Sequence, residues 1–409
     1  MNLRISASQP AKNSSLNISG SKSETNRLLL LQALFPELTI KNTSNSDDSE
    51  AMMRALTIQN GLADIHHAGT AMRFLTAYFA IHENHEITLT GSQRMQERPI
   101  EILVEALQQL GADISYVQNA CFPPIKIKGK KLVQNQVTLN ANVSSQYISA
   151  LLLIAPKLEN GLELTLEGKI TSVPYINMTL ALLDEIGVQT SFIGNVIKVS
   201  PKSEIKNPTT VTVESDWSSA SYFYSIVALS PIGTRITLSN YKENSLQGDS
   251  DLSEIYETMG VKTVFENNQI ILTKSNCETP VIAFDLNKTP DIAQTIAATC
   301  FGLGISCHLT GLHTLKIKET DRLEALKTEL GKLGATISVT NDSLILEKSA
   351  SINPEIKIAT YNDHRMAMAF APLAIKKPIV IEDAGVVSKS YPNFWSDLKI
   401  LGFIVEETN

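Results

Sequence analysis

The amino-acid sequence predicts an α/β protein of two domains built by internal duplication, and three observations carry that reading. The chain has 409 residues, long for one domain and comfortable for two. A phrase made of an amphipathic helix, a glycine and an apolar residue opening a strand recurs along it. It reads ILVEALQQLGADI at Gly111, TLALLDEIGVQTSF at Gly187, LSEIYETMGVKTVF at Gly260, LEALKTELGKLGATISV at Gly334 and FWSDLKILGFIVEE at Gly402, with a weaker copy, MMRALTIQNGLADI, at Gly61. Finally, segments between the helices, such as GLELTLEGK and NVIKVSPK, alternate with period two. One-sided antiparallel strands do this, which disfavours a doubly wound parallel sheet.

Each part of the phrase has a physical reason. Apolar residues fall at helical spacing before every glycine, so one face of each helix is made for burial. The glycine is predicted to be the residue just past the helix, in the left-handed conformation that ends it. The five clear copies follow one another at intervals of 68 to 76 residues, the signature of a repeated unit.

Composition narrows the function. With 43% hydrophobic and 19% charged residues the chain is an ordinary globular protein, too apolar to be disordered. No apolar run reaches the roughly 18 residues a membrane helix needs. The opening MNLRISASQPAKNSS lacks a charged start followed by an apolar stretch, so no secretory signal and a cytoplasmic setting are expected. The four cysteines (Cys121, Cys277, Cys300, Cys307) form no CxxC and have no histidine at ligand spacing, which argues against zinc and against a disulfide framework. A net charge of −7 makes the chain a poor polyanion binder and excludes nucleic acid as the expected partner. An anion site must then be a local cluster of cations.

Such cations stand at loop–helix junctions. Ser19-Gly20-Ser21-Lys22-Ser23 precedes a helix predicted over 24–35, with Lys22 and Arg27 beside its first amides; this is an anion site or a plain cap. Ala68-Gly69-Thr70-Ala71-Met72-Arg73 enters another helix, where Gly69 lets a ligand approach the backbone and Arg73 is either part of the site or a surface charge. Arg94 to Pro99 opens the next, with Pro99 placed in the first turn and Arg98 able to grip a carboxylate or phosphate. Ser144, Ser145 and Gln146 start a fourth, with Ser144 or Ser145 as cap. Thr289-Pro290-Asp291 caps a fifth, where an acid also suits the helix dipole. Lys316 to Arg322 packs five charges between a strand and a helix, a solvated face or an active-site loop. Tyr361 to Met368 begins a helix capped by Asn362 or Asp363, and His364 and Arg365 in its first turn run against the dipole preference, which hints at a bound anion. Were Lys22, Arg27, Arg98, Lys318, Arg322, Arg365 and Lys389 to converge, the ligand would carry several negative charges, phosphate with carboxylate.

From Ser19 to Phe394 these phrases resemble those of the 5-enolpyruvylshikimate-3-phosphate synthase family: SGSKSETNR, AGTAMR, RMQERPI, SSQYISALL, SVPYI, SDWSSASYF, QGD, TPDIAQT, KETDR, YNDHRMAM and KSYPNF, in order. The resemblance implies two similar domains, 19–216 and a discontinuous 1–18 with 217–409, each of three βαβαββ repeats, with the active site in the interdomain cleft. It implies transfer of the enolpyruvyl group of phosphoenolpyruvate to the 5-hydroxyl of shikimate 3-phosphate, by a monomer without metal or organic cofactor. Carried over by motif, Asp291 is the base for the hydroxyl, while Glu319 and Lys22 handle the methylene proton. Gly69, Arg98, Gln146, Arg322, Arg365 and Lys389 surround phosphoenolpyruvate. Ser23, Arg27, Ser144, Ser145, Ser172 and Lys318 hold shikimate 3-phosphate with Tyr175 stacked nearby, and His364 has a supporting role. The inhibitor glyphosate is expected to take the phosphoenolpyruvate position, since Gly69 leaves space. Three residues depart from the family pattern: His67 for Asn, Phe74 for Pro and Thr314 for Asn. The related transferase acting on UDP-N-acetylglucosamine usually carries a cysteine in the loop that here reads GSQRMQERPI, and a non-catalytic paralogue would not need both Asp291 and Glu319.

Overall fold

A computed structural model of the chain describes residues 1–6, 11–140, 144–168, 170, 173–277 and 281–408. They form two compact units, Gly20–Val213 and Met1–Ser19 with Glu214–Asn409.

In Gly20–Val213 the strand Asn60–Asp64 runs parallel to Glu86–Thr90, which pairs antiparallel with Ile125–Lys128, itself antiparallel to Asp113–Tyr116. The same order recurs in Gln136–Asn140, Leu162–Glu167, Val196–Val199 and Thr190–Ile193. It recurs three times in the other unit, in Asn13–Leu16 with Arg235–Ser239, in Val281–Asp285 with Ser306–Thr310, and in Ile356–Ile358 with Ile379–Ile381, each pair followed by two antiparallel partners. In the last of these sheets, Asn2–Ser6 lies between Ile379–Ile381 and Ile404–Thr408. The sixth sheet departs from the expected βαβαββ unit: among the described residues it holds only Leu38–Lys41 and Thr209–Thr212, in parallel.

The sheets alternate buried and exposed residues, as in the eBeBe-type pattern of Gln136–Asn140, so each gives one face to the core. The helices they cover are buried almost all round: 11 of the 12 residues of Gly69–Ala80 and 12 of the 13 of Trp217–Leu229 are buried, which no surface helix would allow. Helices Lys22–Leu34, Gly69–Ala80 and Ser145–Ile154 pack on one another in the first unit. In the second, Ala293–Leu303 packs between Trp217–Leu229 and His364–Phe370. Each of these six helices carries, at or just before its N-terminal end, a segment singled out in the sequence.

Gly111, Gly187, Gly334 and Gly402 each follow a helix with positive φ. Gly61 does not. The helix before it, Asp47–Leu56, ends earlier, and Gly61 sits inside the strand Asn60–Asp64 with φ +96°. The helix predicted over 24–35 starts earlier, at Lys22. Pro99 is not in a first turn either: the helix Glu101–Gln109 has Ile100 at its N-cap, and Arg94 lies in a separate short helix, Gln93–Gln96.

Candidate active site

The unit Met1–Ser19 with Glu214–Asn409 gathers a network around Asp291. Pro290–Ile292 is a 3₁₀ turn leading into Ala293–Leu303, and it leaves the Asp291 side chain 15% exposed. Its Oδ1 accepts from Arg322 Nη1 at 2.9 Å and faces Lys318 Nζ at 3.4 Å; its Oδ2 and its carbonyl accept from Arg365 at 3.2 and 3.0 Å. Burial alone would raise this carboxyl, but Arg365, Lys318 and Arg322 outweigh it and hold it well below the usual carboxylate range.

Arg322 starts the helix Arg322–Lys332, whose N-cap Asp321 accepts from the amides of Leu323 and Glu324. The buried guanidinium also donates to Asp363 Oδ2 at 2.6 Å and Glu319 Oε2 at 2.8 Å, so three carboxylates share it. Burial lowers its pKa, and Asp363, Glu319 and Asp291 more than restore it, as Asp291 does for Arg365. Asp363 is the N-cap of His364–Phe370, accepting from the Arg365 amide at 2.9 Å. His364 is buried with Nδ1 at 3.8 Å from Asp363 Oδ1. Lys389 Nζ donates to the Asn362 carbonyl at 2.6 Å, which places it beside the turn that leads into the helix carrying Arg365. Thr289, read as a helix cap, makes no side-chain cap bond; its hydroxyl goes to Asp249.

The unit Gly20–Val213 gathers a different kind of site. Lys22 Nζ lies 3.3 Å from Asp48 Oδ2. The buried guanidinium of Arg27 donates to Thr179 Oγ1 (2.8 Å), Ser149 Oγ (2.9 Å) and the Ser23 carbonyl (2.7 Å), with the Phe74 and Tyr175 rings 5.4 and 5.9 Å away. Phe74 therefore leaves the helix Gly69–Ala80 unbroken and lends its ring to a cation. Arg73, read as either site or surface, is 4% exposed and donates to the carbonyls of Gly69 (3.2 Å) and Pro99 (3.3 Å) and to Met95 Sδ (3.4 Å). Burial pushes both arginines down to about 10, with Arg98 adding to the effect at Arg73. Every hydrogen-bond acceptor just named for Arg27 and Arg73 is neutral, so none of these bonds joins either guanidinium to a carboxylate, although buried Glu24 acts on Arg27 through its field.

A Cβ at Gly69 would lie 2.7 Å from Arg98 Nη1, which shows how closely that guanidinium approaches the backbone. Gln146 Nε2 donates to Thr70 Oγ1 at 3.1 Å and ties the helix Ser145–Ile154 to the same turn; Ser144 is its N-cap, and Ser145 is buried. Ser172 lies outside the described residues. Of the departures, His67 Nδ1 is 2.6 Å from His66 Nδ1 with Nε2 4.0 Å from Asp48 Oδ1, and the buried Thr314 Oγ1 has no hydrogen-bond partner among the described residues.

The sequence reading thus named most of the charged groups and missed the residues that hold them: Asp48, Ser149, Thr179, Ser218, Asp249 and, beyond its role as a cap, Asp363. Of these, all but Asp48 stand inside quoted phrases, a signal that could have been used.

Arrangement and charge define a class, the enolpyruvyl transferase fold. An EPSP synthase from Acinetobacter baumannii superimposes with a TM-score of 0.81 at 20% identity over 100% of both chains, and an enolpyruvyl transferase from Streptomyces tendae with 0.75 at 14%, over 100% of this chain and 98% of that one. Sequence places the chain within the class. The profile of the family described as EPSP synthase (3-phosphoshikimate 1-carboxyvinyltransferase) matches residues 57–398, and a 3-phosphoshikimate 1-carboxyvinyltransferase of Bacteroides fragilis strain YCH46 is 46% identical over 98% of each chain. The chain belongs to the EPSP synthase family.

Proposed function

We propose that the chain transfers the enolpyruvyl group of phosphoenolpyruvate to the 5-hydroxyl of shikimate 3-phosphate and releases phosphate. The observation that carries the reading is Asp291, an ionised carboxylate gripped by the three cations that anionic substrates would recruit. As phosphate and carboxylate groups draw Arg365, Arg322 and Lys318 toward themselves, their hold on Asp291 weakens and its basicity rises. Asp291 then takes the proton of the attacking hydroxyl. Glu319 and Lys22 deliver a proton to the methylene carbon of phosphoenolpyruvate, which makes the neighbouring carbon electrophilic. The hydroxyl oxygen bonds to that carbon; the carbon–oxygen bond to phosphate then breaks, the departing phosphate takes up the proton held by Asp291, and a methyl proton returns to Glu319 and Lys22.

Arg98, Gly69, Gln146, Arg322, Arg365 and Lys389 serve phosphoenolpyruvate in this scheme. Ser23, Arg27, Ser144, Ser145, Ser172, Tyr175 and Lys318 serve shikimate 3-phosphate, and His364 supports its neighbours. Glyphosate competes for the phosphoenolpyruvate position, and the chain works as a monomer. The test is phosphate release from phosphoenolpyruvate with shikimate 3-phosphate, run beside UDP-N-acetylglucosamine. Release with shikimate 3-phosphate alone is expected. Release only with the nucleotide sugar overturns the acceptor, and silence with both overturns the reaction.

A further inference from the structure

Behind Asp291 and Arg365 lies a second carboxylate with no part in the scheme above. Asp249, in the 3₁₀ turn Gly248–Asp251, is 7% exposed. Two hydroxyls meet it: Thr289 Oγ1 donates to its Oδ1 at 2.5 Å, and Ser218 Oγ donates to its Oδ2. Both have second tasks. Thr289 immediately precedes the Pro290–Ile292 turn that carries Asp291, and its hydroxyl goes to Asp249 rather than to the helix amides. With its proton given to Asp249, Ser218 Oγ turns a lone pair outward, and Arg365 Nη2 donates to it at 3.2 Å.

Asp249 therefore ties together the N-terminal ends of Trp217–Leu229, Ala293–Leu303 and His364–Phe370. We propose that Asp249 is a positioning residue: through Thr289 it holds the turn that bears Asp291, and through Ser218 it holds the guanidinium of Arg365. The inference rests on the reaction proposed above. Burial raises the Asp249 carboxyl while Arg365 lowers it, so the two aspartates sit in environments that push them apart.

Steady-state phosphate release tests the proposal with hydroxyl-deleting and charge-deleting variants. Thr289→Val keeps the shape and loses the donor; it is expected to lower kcat by about tenfold, as a loosened base does. Ser218→Ala is expected to act mainly on the KM for phosphoenolpyruvate, because Arg365 is the group released. Asp249→Asn should do both. In a double-mutant cycle, Asp249→Asn with Thr289→Val should be no worse than Asp249→Asn alone, since both cut one relay. Thr289→Ser, which keeps the hydroxyl, should restore turnover; that rescue separates positioning from loss of folding.

Near-wild-type kcat and KM in both Thr289→Val and Asp249→Asn would overturn the proposal, as would full additivity in the cycle. A silent wild type would instead sink the reaction. The relay is then read in the ligand-free protein from the carboxyl-carbon NMR titration of Asp291, assigned by its loss in Asp291→Asn. A midpoint moving up toward the ordinary carboxylate range in Ser218→Ala or Thr289→Val supports the relay, and an unmoved one refutes it.

Discussion

Gly69 works through the atom it lacks. Its backbone lies so near Arg98 that a Cβ would meet Nη1 at 2.7 Å, below any real contact, yet the clashing atom is the tip of a flexible side chain. Gly69→Ala should therefore fold normally and displace Arg98, raising the KM for phosphoenolpyruvate several-fold while that for shikimate 3-phosphate holds. Initial rates with each substrate varied in turn decide it, and equal effects on both constants would refute the account. Asp291 is legible in chemistry but not in sign. A cap and a base look alike in sequence, and only the three surrounding cations show that the carboxyl is held low. Asp291→Asn should cost about 10²–10⁴ in kcat, the usual worth of a placed general base. It also has a stability signature. A carboxyl depressed on folding stabilises above its unfolded pKa, and that contribution fades as pH falls through the folded value. The Tm gap between wild type and Asp291→Asn should thus be widest near neutrality and close on acidification below the ordinary carboxylate range. A gap that does not depend on pH would show that the three cations lend no folding stability through Asp291.

At the scale of elements, the turn before His364–Phe370 shows what patterns in sequence miss. Tyr361 and Asn362 both adopt left-handed backbone, φ +53° and +56°, which costs a tyrosine on the order of 1 kcal/mol. The surroundings hold it there: Tyr361 donates its hydroxyl to Glu329 Oε1 at 2.7 Å, Glu329 also takes Lys332, and Lys389 donates to the Asn362 carbonyl. Tyr361→Phe should lose about 1 kcal/mol by urea unfolding, the worth of one hydrogen bond, and lower kcat because Asp363 and Arg365 follow directly. An unchanged urea midpoint would mean that the Glu329 bond does not hold the turn. Helix ends marked by glycine were readable because the cause is local: positive φ suits a residue without a side chain. Gly61 and Pro99 were misplaced because turn residues also serve inside strands and before caps, and only pairing with Glu86–Thr90 or the Ile100 cap decides between the roles. Arg73 stayed ambiguous for a similar reason, since periodicity fixes a face of a helix but not how deep the whole helix lies. The Asp249 relay was hidden because its partners stand far apart in sequence, at 218, 249, 289 and 365.

For the whole molecule, the net charge of −7 sets a repulsive background for an anionic substrate pair, so binding must come from local, buried positive charge. The two units supply it differently. In one, Arg322, Arg365 and Lys318 already share carboxylates, and a ligand must compete for them. In the other, the hydrogen-bond acceptors around the buried guanidiniums of Arg27 and Arg73 are hydroxyls, carbonyls and a thioether, with the Glu24 carboxylate acting on Arg27 through its field, and a phosphate group would bring these guanidiniums a directly bonded negative charge. Shikimate 3-phosphate should therefore stabilise the free protein without its co-substrate, by about 2.7 kcal/mol at a hundredfold excess over Kd. Buried charges are little screened, so much of that gain should survive added salt. Melting curves with shikimate 3-phosphate, and with sodium chloride at matched ionic strength, separate specific binding from general screening. Arg27→Met should remove most of the shift while leaving the unliganded fold intact, because the methionine still packs against Phe74. An equal rise from chloride, or a full shift in Arg27→Met, would mean that the phosphate finds its counter-charge elsewhere.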